Sequence, residues 1–179
     1  MGEGGRRPDE GLFGSRVEIS PHFLHSRVMI KVQSQPFDVG AEYAALKVQR
    51  KDVGGFALFV GSVRDVSGGA DVSAMTLEHY PGMTEAALAE IEADANKRWP
   101  LQETLIIHRY GKLLPGEDIV LVITASAHRE AAFEACAFLM DWLKTKAPFW
   151  KLEEGKTGAR WVDAKASDDA ATARWTKSQ

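Results

Sequence analysis

The sequence predicts an α+β fold: a mixed, largely antiparallel sheet with helices packed against it. Three observations carry this. Segments of strand period are interspersed with stretches of helical period. They do not follow the strict strand-helix-strand alternation of a parallel sheet. Two strand-like runs, "TLIIHRYGKL" and "DIVLVITAS", meet at the turn "LPGED" and read as a hairpin with a long loop. At 179 residues, with 45% hydrophobic and 26% charged residues, the composition is that of one soluble globular domain.

Residues 1–26 are rich in Gly, Arg, Asp and Glu without periodicity, and read as a disordered or loosely attached extension; the domain is expected over 27–179. "RVMIKVQ" alternates as a strand. Asp38 is placed to N-cap a helix carrying Val39, Tyr43, Leu46 and Val48. "GGFALFVGSVR" is an apolar run punctuated by Gly54, Gly55 and Gly61, expected as a buried strand with close backbone approach at its end, followed by the Gly-rich loop "DVSGGADVS". "VSAMTLEHY" is a further strand, broken at Pro81-Gly82. "MTEAALAEIEADANKRW" is a helix with Ala87, Leu88, Ile91 and Ala95 on one face. After the hairpin a long helix is expected from about Ala127 to Ala147, halted there because Pro148 disfavours helix at the residue before it. Extended pieces at "FWKLE" and "RWVDA" and a helix near "SDDAATARW" complete the chain.

Composition also excludes function classes. A net charge of -3 gives no basic field for nucleic acid. A single cysteine rules out an internal disulfide, and five scattered histidines lack zinc-ligand spacing, so no metal is expected. No apolar run approaches a membrane span and the N-terminus lacks a signal-peptide core, which makes a cytoplasmic location the expectation.

Chemistry gathers on the last long helix and the turn after it. In "ITASAHREAAF", Ser126 is expected as N-cap, with His128 and Arg129 in the first turn beside free backbone N–H groups and the positive dipole end. Either an anion converges on that end, or Glu130 compensates Arg129 at the surface. On a helical wheel Phe133, Cys136, Ala137, Met140 and Leu143 share a core face, with Lys144 about 20° from Phe133. Phe138 and Trp142 point the other way, toward another element of the domain or a partner. Cys136 reads as a small core hydrophobe, so any sulfur chemistry needs sulfur from elsewhere. Lys144 alone could simply snorkel. The turn at Pro148, however, can bring Lys151 back toward it. Lysines brought close to each other and to Arg129 would disfavour one another's charged form, which suits a proton donor or nucleophile near neutral pH.

The ordered motifs "FVGSVRD", "LEHYPGMTEAALAEI", "RWPL", "IIHRYGKLLPGEDIVLV", "SAHREAAFEAC", "MDWLKTKAPFWKLE" and "RWVDA" resemble the large, catalytic subunit family of molybdopterin synthase, over about residues 28–175. The resemblance implies an α/β-hammerhead-like fold and a sulfurtransferase of molybdenum-cofactor biosynthesis. Such an enzyme converts cyclic pyranopterin monophosphate to the dithiolene molybdopterin. Its sulfur comes from the C-terminal Gly-Gly thiocarboxylate of a small ubiquitin-like partner subunit, and no cofactor is needed. The resemblance further implies a homodimer of large subunits within a heterotetramer. It puts Ser62, Val63 and Arg64 of "GSVR", His128 and Arg129 of "AHRE", and Leu152 and Glu153 in the substrate pocket, with Lys144 and Lys151 as the catalytic pair and Phe59 and Met140 as apolar walls. Arg64, His128 and Arg129 would hold anionic groups, Lys144 would move protons and stabilise developing charge, and Lys151 would orient substrate. Ser62 stands where many members carry lysine, Leu152 where a basic residue often follows, and Lys165 where an arginine is expected to reach across the dimer. Those changes bear on phosphate affinity, because lysine cannot reproduce a bidentate arginine contact.

Two other classes of function fit the sequence less well. A non-catalytic pterin- or phosphate-binding scaffold docking a partner would not need both lysines. A phosphate-ester hydrolase would want a metal site or clear nucleophile, and the sequence offers neither.

Overall fold

The computed structural model describes residues 27–48, 50–162 and 166–176; the extension at 1–26 and Lys165 lie outside them. The elements run β1 (Arg27–Gln33), α1 (Val39–Lys47), β2 (Gly55–Ser62), β3 (Val66–Ser67), β4 (Ala70–Asp71), β5 (Ala74–His79) and α2 (Met83–Arg98). They continue with β6 (Leu101–Arg109), β7 (Gly111–Leu113), β8 (Asp118–Ser126), α3 (Arg129–Lys146), β9 (Phe149–Gly155), β10 (Gly158–Val162) and α4 (Ala166–Thr176).

One sheet has the order β1-β6-β8-β2, parallel only between β1 and β6; a second, wholly antiparallel, has the order β10-β9-β5-β7, and β3-β4 form a small ribbon. The expected α+β class is therefore what the chain adopts. The central strands β6 and β8 are apolar on both faces because both are covered. Ile106, Val120 and Val122 pack with Leu88, Ile91, Ala135 and Leu139 of α2 and α3. Leu105, Ile107, Leu121 and Ile123 pack with Leu46 and Tyr43 of α1. Each such fully buried aliphatic side chain stabilises the fold by about 1.5–3 kcal/mol. Asp38 caps α1 as expected, accepting from Ala41 N at 2.9 Å.

The two sheets meet where the hairpin divides. β6 pairs with β8 up to His108, then Gly111, at φ 89°, turns the chain out so that β7 pairs with β5 in the second sheet. Val63, Val72, Met75, Leu77 and Leu113 form the apolar cluster beneath this second sheet.

Three expectations are corrected. β2 is an edge strand, and Leu58, Phe59 and Val60 are 41%, 38% and 36% exposed, because the sheet ends there and β2 has a paired strand on one side only. Ser126 does not cap α3. It ends β8 and its hydroxyl donates to Pro100 O at 3.0 Å, leaving His128 as an N-cap without a side-chain cap bond. The buried stripe of α3 is also rotated from the expected one: Phe133 is 63% exposed and Phe138 only 2%. The cause is α4, which folds back over the supposed outer face. Trp175 and Trp99 meet Phe138 edge-on at 5.5 and 5.3 Å, and Asp141 accepts from Trp175 Nε1 at 2.8 Å and Arg174 Nε at 3.0 Å. The aromatic pair thus serves an element of the same domain.

Candidate active site

The end of α3 and the start of β9 set the site. Lys144 lies exposed in the last turn of α3, where a cation complements the negative dipole end. Ala147 and Pro148 leave the helix, and Phe149 N returns to Ala147 O at 2.8 Å. Phe149 then lays its ring on His108 of β6, centroids 3.7 Å apart and planes 16° from parallel. Because side chains alternate along a strand, Phe149, Lys151 and Glu153 share one face of β9 while Trp150 and Leu152 point to the other. In register, Lys151 faces Leu77 of β5 and Val162 of β10, over the apolar cluster of the second sheet.

Glu153 is the buried anion of this face, 3% exposed. Its Oε2 accepts from Arg160 Nη2 at 3.0 Å, and Lys151 Nζ sits 3.0 Å from Oε1, an ion pair not aligned as a hydrogen bond. Burial opposes ionisation of this carboxyl, but hydrogen bonds from Ser67 and Arg160 and the charge of Lys151 outweigh it and hold it below the ordinary carboxylate range. Arg160 also donates to Ser67 O at 3.0 Å, fastening the β3-β4 loop region beside the pair. Lys151 is therefore a lysine with a fixed partner, whereas Lys144 makes no hydrogen bond or ion pair among the described residues. Behind them His108 is buried and neutral, its ring pushed down to about 4 by desolvation, with His79 adding to the shift.

The other predicted residues divide between the two ends of α3. β2 runs antiparallel to β8, and α3 returns along both, so Ser62, Val63 and Arg64 lie at the end of the domain that holds Lys144. Arg64 is exposed there. Ser62 instead donates to Asp118 Oδ1 at 2.7 Å, and Val63 is a core residue whose N donates to Glu117 O at 2.9 Å. Phe59 shares the face of β2 that carries Ala57 into the α3 core, the side on which Met140 is buried. Leu152 points away from Lys151, on the face with Trp150 and with Trp161 opposite it in register. His128 and Arg129 are exposed at the far end, where a Cβ on Gly55 would lie 3.3 Å from Arg129 Cα. Fifteen residues separate Arg129 from Lys144, about 22 Å at ~1.5 Å per residue. One chain thus keeps these cations apart, and no ion pair joins Arg129 to Glu130 among the described residues.

Arg160, Ser67 and His108 were missed as members of the site. A signal for Arg160 exists: a tight hairpin through "EGKTG" pairs Glu153 with Arg160. Cys136 behaves as expected, buried with its thiol pushed up to about 11 by desolvation. A groove of about 480 Å³ lined by Val39, Tyr43, Lys47, Phe56 and Leu58 lies on the α1 side, away from Lys144 and Lys151. Among the described residues no helix is long and apolar enough to cross a membrane.

Two lysines thus flank a helix-to-strand turn on an α+β frame, one of them held by a buried carboxylate. Comparison with known proteins gives the family. The MoaE protein family profile matches residues 32–146, and the chain belongs to that family. It is 57% identical over 146 residues to a molybdopterin synthase catalytic subunit of Ralstonia nicotianae, covering 82% of this chain and 83% of that one. A solved structure, a molybdopterin biosynthesis MoaE protein from Burkholderia ambifaria, superposes with a TM-score of 0.72 at 52% identity, covering 84% of this chain and 99% of that one. A protein-protein complex of subunits 1 and 2 of molybdopterin-converting factor from Helicobacter pylori contains a chain of the same fold, with a TM-score of 0.62 at 20% identity over 76% of this chain and 90% of that one.

Proposed function

We propose that this chain is the catalytic subunit of a molybdopterin synthase, transferring sulfur to cyclic pyranopterin monophosphate from the C-terminal thiocarboxylate of a small ubiquitin-like partner. The observation that carries the reading is the placement of Lys144 and Lys151 on either side of one turn, with Lys151 tethered to Glu153 and Lys144 left free to meet a reactant. The buried Cys136, its thiol held protonated, suits an enzyme whose sulfur arrives on its partner.

Sulfur transfer of this kind needs cations. The thiocarboxylate sulfur attacks an oxygen-bearing substrate carbon, forming a C–S bond and a thioester to the partner while a C–O bond at that carbon breaks and its oxygen leaves with a proton. Water then cleaves the acyl–sulfur bond, returning the partner as a carboxylate and leaving the sulfur on the product, and a second cycle supplies the second sulfur. Lys144 donates protons and stabilises the negative charge that develops on oxygen, and Lys151, fixed by Glu153, orients the substrate. Arg64 holds an anionic group at the same end, and Phe59 and Met140 wall the apolar side.

His128 and Arg129 lie about 22 Å from Lys144 along their own helix, too far to share a small substrate with it. We infer that they act on the site of a second copy within a dimer, with Lys165 reaching across as well, and that one small subunit docks at each site. The domain at 27–179 is the catalytic unit, residues 1–26 are an appendage to it, and the reaction belongs in the cytoplasm.

The test is a single-turnover assay with thiocarboxylated partner and cyclic pyranopterin monophosphate. Wild type should form dithiolene product, and Lys144→Ala should lose it by about 100-fold or more with partner binding intact. A wild type that binds the partner tightly and makes no product would refute the reading.

A further inference from the structure

The lysines of the proposed site stand on two different supports. Lys144 belongs to α3, which packs on the first sheet, whereas Lys151 belongs to β9 in the second. Their separation therefore depends on how the second sheet is fixed against the first. Beside Lys151 that join is made by rings. Phe149, two residues before Lys151 on the same face of β9, stacks on His108 of β6 at 3.7 Å. His79 of β5 lies 6.3 Å from Phe149 and 4.5 Å from Tyr110, extending the aromatic layer.

His108 is itself fixed. It is 5% exposed, and its Nδ1 lies 2.9 Å from the carbonyl oxygen of Arg109. A carbonyl only accepts, so the neutral ring carries its proton on Nδ1 and its plane is set by the backbone of β6. The neighbouring Arg109 side chain is buried and donates to Asp118 O at 2.9 Å, so this end of the hairpin is stiff.

We propose that His108 is a positioning residue of the sulfur-transfer site, acting through the Phe149 ring to set Lys151 at its working distance from Lys144. It touches no reactant. The inference rests on the proposed function, and it adds a residue to which composition and motif spacing assign no role. Two substitutions separate its two properties. His108→Phe keeps a flat ring to stack and loses the Nδ1–H donor; His108→Asn keeps a donor toward the Arg109 carbonyl and loses the ring.

The experiment is the same single-turnover assay, run on wild type, His108→Phe, His108→Asn, Lys151→Ala and the double variant His108→Asn/Lys151→Ala, with partner affinity measured alongside. Expected is a rate constant for His108→Phe within about threefold of wild type and a loss of tenfold or more for His108→Asn, with partner affinity unchanged. The double variant should be no slower than Lys151→Ala, because a residue that acts through Lys151 has nothing to position once that lysine is gone. Equal losses in Phe and Asn variants, no loss in Asn, or losses that multiply in the double variant would overturn the inference while a Lys151-dependent wild-type rate leaves the function standing. A wild type without turnover would remove both. Should His108→Asn fail to fold, Phe149→Leu removes the same stack from its less buried side, and the same cycle with Lys151→Ala decides.

Discussion

Replacing Glu153 by Gln isolates the charge of the one buried carboxylate that faces the proposed site. The side chain keeps its shape, but a carboxylate that accepts from Arg160 and Ser67 and pairs with Lys151 becomes an amide with an N–H₂ directed at a cation or at another donor. Hydrogen bonds to charged groups contribute about 1.5–3 kcal/mol each. The side chains of Lys151 and Arg160 are 31% and 53% exposed, so water screens both and the lower end of that range applies. The two together give a loss of about 2–3 kcal/mol, or roughly 5–10 °C in Tm for a domain of this size. The effect has a pH signature. The folded-state carboxyl is held below its ordinary value, so its stabilisation is complete above the unfolded-state value near 4.5 and disappears as pH falls through the folded-state value. Thermal melts of wild type and Glu153→Gln should therefore differ most at neutral pH and converge in acid, and turnover should fall because Lys151 loses its tether. A variant that melts within about 1 °C of wild type at pH 7, or an offset that stays constant into acid, would refute the assignment of Glu153 as a charge-held clamp.

Two further outcomes are expected. His108 binds its proton less readily in the folded chain, at about 4 against 6.5, so the unfolded chain takes up more protons between those values and stability falls as pH drops across that window. The full loss is about 3 kcal/mol, measurable as a decline in urea midpoint from pH 7 to 4 that His108→Phe should flatten. Cys136 should react with a thiol reagent only as fast as the native fold opens, and Cys136→Ala should keep its sulfur-transfer rate; a large loss would place a sulfur of this chain in the chemistry.

The legible parts of the fold were those that local chemistry decides. The alternation of "RVMIKVQ", the Asp38 cap, the Pro81-Gly82 break and Pro148 after α3 each act within a few residues, and each element appears where they put it. What was not legible depends on which element covers which. The apolar run of β2 looks buried because its residues are apolar, yet an edge position is a property of strand order. Phe138 looks outward on a wheel because nothing local says that α4 folds back over it. At the site, the lysine pair could be read from the turn that joins them. Of Glu153's partners, Arg160 sits across a local hairpin and leaves a signal, whereas Ser67 could not be read because it arrives from the separate β3-β4 ribbon far away in sequence.

The separation of cations along α3 leads to a decisive experiment on assembly. A helix that places Lys144 in its last turn and Arg129 in its first cannot aim both at one small molecule, since about 22 Å lies between them. Two copies related by a twofold axis would remove the conflict, because each would supply the other with the end it lacks. Suppose Lys144→Ala and Arg129→Ala chains, each inactive alone, are unfolded together, refolded at equal amounts and assayed. If Arg129 serves its own chain's site, every site in every dimer lacks one of the two residues and the mixture stays inactive. If it serves the partner's site, half of the dimers are mixed, and each of those contains one intact site and one doubly altered site. The mixture should then recover about a quarter of wild-type activity. Continued inactivity, with mixed dimers demonstrated by mass, would show that one chain brings its own cations together, and the assignment of His128 and Arg129 to a shared site would have to be given up.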